Sequence, residues 1–160
     1  MRRIHRTIDI KAPVRRVWEF LHQPNNLTGV WPHLVSVSNI VPHESGTSDF
    51  DWVYKMGGVH RSGHASVEEA RPQEYVRYRN EGGIPSTFVW SYQATTAGLG
   101  TRVTVDVEYT IPTPVIGKLA EAVVAKSNER DLDALLQNTK ERLEHETTNV
   151  PITRPLETSP

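Results

Sequence analysis

Apolar and polar residues alternate with a period of two along most of this chain. Ile4, Ile8 and Ile10 share one side of the first run, and His5, Thr7 and Asp9 share the other, as in a half-buried strand. Ala12-Pro13 ends that run. Val14, Val17, Trp18 and Leu21 then recur at helical spacing, with Pro13 suited to a first turn, where its missing N–H has no partner to lose. Gln23-Pro24-Asn25-Asn26 closes this helix and opens a short second one through Leu27. Strand-like runs follow over 35–41, 50–56, 60–70, 74–80, 87–95 and 101–111, separated by turn residues such as Ser45-Gly46, Gly57-Gly58, Gly82-Gly83 and Gly98-Leu99-Gly100. Connections this short predict an antiparallel meander, because parallel neighbours need long crossovers. Thr113-Pro114 reads as an N-cap and first turn. With no proline again before Pro151 and no glycine after Gly117, residues 114–145 read as one long helix. Its apolar side carries Ile116, Leu119, Ala120, Val123, Val124, Leu132, Leu135, Leu136 and Leu143, interrupted by Ser127-Asn128-Glu129-Arg130-Asp131. Residues 147–160 hold three prolines and little apolar mass, which predicts a disordered tail behind a single domain over 1–146.

The order is therefore strand, two helices, six strands and a long helix, an α+β arrangement. A curved sheet has one face to cover, and only the last helix is long enough to cover it. The inward rows would carry Trp52, Tyr54, Tyr78, Trp90, Tyr92 and Tyr109. Each of these rings has a polar atom that needs a partner. Such a face makes an awkward dry core but a suitable lining for an apolar ligand cavity with a few polar points.

Composition narrows the options further. Of 160 residues none is cysteine, which excludes disulfides, thiolate nucleophiles and cysteine-ligated zinc. Eighteen basic side chains against nineteen acidic give no cationic excess for binding nucleic acid. No apolar run approaches the length of a signal peptide core or a membrane span. The expectation is a cytoplasmic protein without stable membrane insertion, a monomer or homodimer.

Four stretches resemble the helix-grip superfamily of START-related (SRPBCC) domains, in its polyketide cyclase/dehydrase-like and lipid-transport branch. They are Ile10-Lys11-Ala12-Pro13-Val14-Arg15-Arg16-Val17-Trp18-Glu19-Phe20-Leu21; Pro24-Asn25-Asn26-Leu27 with Trp31-Pro32; Trp90-Ser91-Tyr92 leading through Gly100-Thr101-Arg102-Val103-Thr104 to Glu108-Tyr109; and the terminal helix. The resemblance implies a helix-grip fold, a curved seven-stranded antiparallel sheet wrapped around the long helix with an elongated apolar cavity between them. It leaves activity open, since such domains include binders, carriers, cyclases and chaperone-activating modules. The glycine-rich loop of the plant allergen-type members is missing, so no anion loop is expected. The ligand motifs of iron-containing members are missing too.

Individual residues point to binding more than to chemistry. His60 and His64 lie on one strand, where four residues span about 13 Å, too far to share a metal. Asp49 and Asp51 fall opposite Phe50, on a solvated side. His22, His33 and His43 lie in loops or at element ends with no partner evident in the sequence. Arg61 shares the inward period of Ala65 and Val67 and could hold a carboxylate or polarise a carbonyl, unless it sits at the open end of its strand. The expected ligand contacts are Trp52, Tyr54, Arg61, Tyr78, Trp90, Tyr92, Val107, Tyr109, Val124 and Asn128. The expected function is binding or carriage of a small hydrophobic or amphipathic molecule, with no cofactor and no metal. One alternative is a polyketide cyclase/dehydrase-type enzyme using Arg61 and Tyr92. Another is a protein-interaction or chaperone-cofactor module.

Overall fold

The computed structural model describes residues 1–95, 98–111 and 118–149. The elements are β1 (Arg2–Ile10), α1 (Val14–Leu21), α2 (Pro24–Leu27), β2 (Leu34–Pro42), β3 (Ser48–Met56), β4 (Val59–Arg71), β5 (Tyr75–Gly82), β6 (Ser86–Ala94), β7 (Thr101–Tyr109) and α3 (Lys118–Asn149). The strands form one antiparallel sheet in the order β1-β7-β6-β5-β4-β3-β2. This is the helix-grip, α+β arrangement, with α3 lying across the concave face of a curved seven-stranded sheet.

The inward rows follow from the alternation. Phe50, Trp52, Tyr54 and Met56 are buried on β3, Val76, Tyr78 and Asn80 on β5, Trp90 and Tyr92 on β6, and Val103, Val105, Val107 and Tyr109 on β7. Gly63 on β4 stands opposite both Trp52 on β3 and Gly82 on β5. A Cβ at Gly63 would come within 2.3 Å of the Trp52 ring and 2.5 Å of the Glu81 carbonyl oxygen. The missing side chain is what lets the indole lie flat against the sheet.

The helices differ from expectation in detail. Pro13 stands one place before α1, in extended conformation, and its carbonyl accepts from Arg16 and Val17. α3 runs on to Asn149, past His145, because neither proline nor glycine stops it before Pro151. The Thr113-Pro114 start signal, Ile116 and the tail from 150 onward lie outside the described residues. Val124, Ala125, Leu132, Leu135, Leu136 and Leu143 are buried, but Val123 is 71% exposed. It is one step of about 100° round the helix from Val124. α3 is tied along β1 by Lys140 Nζ to the Asp9 carbonyl (2.8 Å), by the Lys11 amide to Glu144 (2.8 Å) and by Arg6 to Asp133 (2.6 Å).

One margin of the sheet, β2, pairs irregularly with β3. Its register shifts between Leu34 and Ser36 and again between Ser38 and Val41, Asn39 adopts φ 49°, and Pro42 ends it.

Candidate functional site

Between the sheet, α2 and α3 lies a cavity of about 120 Å³ that water-sized molecules can occupy. Its wall includes Trp52, Trp90, Phe50, Phe88, Tyr54, Tyr78 and Tyr109 from the sheet, Leu21, His22, Leu27 and Trp31 from the helical segment, and Asn128 and Leu132 from α3. Among the described residues that line it none is Asp, Glu, Lys or Arg. Trp31 packs edge-on against Tyr54 and Phe88. The Trp52 indole donates to Asn80 Oδ1 at 3.0 Å, which fixes the ring in the wall.

At one end of the cavity His22 caps α1, its backbone N–H bonded to the Trp18 carbonyl. Four positions after Trp18, it continues the helix's apolar face inward. Its Nδ1 lies 2.8 Å from the Tyr78 hydroxyl and its Nε2 2.5 Å from the Tyr92 hydroxyl. Trp18 packs against both, tilted at 4.7 Å from the imidazole and edge-on at 5.2 Å from the Tyr92 ring, and donates its own N–H to the Ser45 carbonyl. Burial pushes His22 down to about 3, so the ring is neutral at ordinary pH. Burial likewise pushes Tyr78 and Tyr92 up, so both hydroxyls keep their protons.

A second polar cluster closes the side formed by α3. The buried Asp131 carboxylate accepts from the Tyr54 hydroxyl and, at 2.8 Å, from His33 Nδ1. Burial first, and then the Asp131 charge, push Tyr54 up. Asn138 Nδ2 donates to the Val30 carbonyl at 2.9 Å, so the segment carrying Trp31 is held to α3 at two points. Asn128 donates to the Tyr109 hydroxyl at 3.3 Å. Tyr54→Phe is expected to destabilise the fold by about 1–3 kcal/mol, since it leaves a buried carboxylate short of a donor. Thermal unfolding checks this. A melting temperature within a degree of the parent's would show that Asp131 does not depend on Tyr54.

Of the residues expected to contact a ligand, Trp52, Tyr54, Tyr78, Trp90, Val107, Tyr109 and Asn128 line the cavity. Three do not. Tyr92 faces inward, but α1 covers it, and its hydroxyl is spent on His22. Arg61 pairs with Tyr54 near the start of β4 and is half-buried, its Nε buried without a hydrogen-bond partner, off the cavity wall. Val124 is a buried residue of α3 that does not line the cavity. His22, His33 and His43, which show no partner in the sequence, all have one in the fold: His22 meets Tyr78 and Tyr92, His33 meets Asp131 and His43 meets Asp49 at 2.9 Å. His64 meets Asp51 at 2.6 Å. Among the described residues no group of three His, Asp or Glu side chains is placed to hold a metal.

The family described as polyketide cyclase/dehydrase and lipid transport matches residues 1–144. The chain belongs to that family. Its fold is shared by solved structures of low identity. A Thermus thermophilus protein is 22% identical with a TM-score of 0.75, the match covering 90% of this chain and 98% of that one. A START superfamily protein from Mycobacterium smegmatis is 13% identical with a TM-score of 0.70, over 88% and 98%. The Zhui aromatase/cyclase from a Streptomyces species is 17% identical with a TM-score of 0.68, over 88% and 94%. At these identities the likeness shows the fold alone. The sequence matches no curated protein. Among the described residues no helix of this family member is long and apolar enough to cross a membrane.

Proposed function

We propose that the protein binds and carries a small, uncharged, hydrophobic or amphipathic molecule in the cavity between sheet and α3. The observation that carries this reading is the wall itself: an aromatic-rich interior space with no charged side chain among its described lining residues. Transferring a charge into such a space without a partner costs several kcal/mol, whereas flat apolar surface gains from it. The volume suits a modest guest, since an engineered apolar cavity of roughly 150 Å³ in another protein holds benzene. Lipids, quinones and polyketide-like aromatics all offer suitable parts. The family's lipid-transport members support carriage. The cyclase alternative is weaker because neither Arg61 nor Tyr92 lines the cavity.

Native mass spectrometry of the purified protein tests the proposal, first for a co-purifying molecule and then against a panel of fatty acids, quinones, sterols and aromatic polyketides. Val107→Trp supplies the control. Val107 lies in the wall between Ile4 and Phe88 on neighbouring strands. A tryptophan there is expected to fill the cavity and lower affinity at least tenfold, while overpacking removes about 1–3 kcal/mol of stability. If no panel member binds the parent above non-specific levels, or if Val107→Trp binds as well as the parent, carriage in this cavity is wrong.

A further inference from the structure

The hydroxyls of Tyr92 and Tyr78 and the ring of His22 form a chain whose hydrogen-bond direction is fixed by burial. His22 is neutral and so carries one N–H and one bare nitrogen. If Nε2 held the proton, it would donate to the Tyr92 oxygen and leave the Tyr92 proton with nothing to bond. Among the described residues His22 is the sole hydrogen-bonding neighbour of either hydroxyl. Tyr92 is buried under Trp18 and does not reach the cavity, so a ligand or water there could not accept its proton. A buried donor left without an acceptor is disfavoured by enough to set the tautomer. The opposite arrangement leaves no orphan there. Tyr92 donates to Nε2, Nδ1–H donates to the Tyr78 oxygen, and the Tyr78 proton is left over. Tyr78 and His22 both line the cavity.

We propose that Tyr78 is a ligand-anchoring hydrogen-bond donor of this cavity, its proton directed inward by Tyr92 through His22, and that the ligand class it selects is a small, neutral, single-ring molecule with an acceptor oxygen such as a ketone or quinone carbonyl. Tyr92 and His22 are positioning residues, and Tyr78 is the contact. This rests on the cavity being a ligand site, and it goes further by naming the group that orients the guest. Each donor in the chain is polarised by the one behind it, which strengthens the last bond. The aromatic wall from Trp52, Trp90 and Phe50 suits a flat partner.

Two measurements test it. The first needs no ligand. The ¹⁵N chemical shifts of His22 in the purified protein report its tautomer, expected to be Nδ1–H. An Nε2–H tautomer overturns the proposal outright. In Tyr92→Phe the restraint is gone, and the two tautomers are expected to mix. The second uses acetophenone, ¹³C-labelled at its carbonyl, against ethylbenzene. The ratio of their affinities is expected to fall about three- to tenfold in Tyr78→Phe and by less in Tyr92→Phe. The bound carbonyl stretch is expected to rise in frequency in Tyr78→Phe as its hydrogen bond is lost. If both compounds bind and neither the ratio nor the stretch changes in Tyr78→Phe, the anchor is wrong while the cavity reading stands. If neither compound binds the parent protein while a member of the panel does, the anchor is wrong and the cavity reading stands; if nothing binds, both fall.

Discussion

Replacing His22 by leucine is expected to lower the unfolding free energy at pH 7 by about 2–4 kcal/mol, because leucine fills the space and takes from two tyrosine hydroxyls the partner each has among the described residues. For a chain of this size that is a fall in melting temperature of roughly 5–15 °C. The same substitution is expected to change how stability responds to acid. His22 is held at about 3 in the folded protein by burial, against 6.5 when unfolded. Above pH 6.5 both states are neutral there and the group contributes no slope. Between 6.5 and 3 the unfolded chain takes up a proton that the folded one refuses, so stability falls as pH falls, by about 1.4 kcal/mol per unit. By pH 4.5 the parent is expected to have lost about 2–3 kcal/mol through this group alone. Most of that window lies above the range in which free carboxylates titrate, so carboxylates contribute little to it. Denaturant unfolding of parent and His22→Leu at half-unit steps from pH 7.5 to 4.5 checks both statements. Equal stability at pH 7, or parallel pH curves, would show that the imidazole is neither buried neutral nor needed by the tyrosines.

Gly63→Val is expected to have the larger effect, a loss of roughly 3 kcal/mol or more, with much of the protein insoluble on expression. The new Cβ would sit 2.3 Å from the Trp52 ring and 2.5 Å from a backbone oxygen of β5, and the second of these cannot swing aside. Overpacking a well-formed core commonly removes about 1–3 kcal/mol, and a clash with the backbone adds to it. Any folded fraction is expected to have Trp52 rotated away from Asn80, visible as a shift in tryptophan fluorescence and loss of the indole N–H bond to Asn80 Oδ1. Normal yield and an unshifted spectrum would mean that β4 and β5 are further apart than described. Gly63→Ala gives the graded version of the same test, with a smaller drop.

The strands and their inward rows were legible in the sequence because a period of two needs no knowledge of partners. Trp52, Tyr54, Trp90 and Tyr109 stand where alternation places them. The polar groups of the site were legible only in part. His22 and Asp131 each follow a helical apolar face, four places after Trp18 and four places before Leu135, and a polar residue on such a stripe is a signal. By spacing alone the stretch around Asp131 interrupts the stripe, whereas the carboxylate points inward to Tyr54 and His33. What no spacing could supply is the meeting of His22 with Tyr78 and Tyr92, 56 and 70 residues away. Tyr92 and Arg61 show the converse limit. Facing the concave side is a property of strand parity, but lining a space also depends on what packs above, and α1 covers Tyr92.

The irregular outer strand has a consequence for a protein built around a greasy interior. A straight terminal ribbon offers a row of unused amides and carbonyls onto which a second molecule could graft itself, the opening step of fibril growth. Two slips in pairing, a left-handed turn at Asn39 and a closing proline break that row into fragments too short to serve as a template.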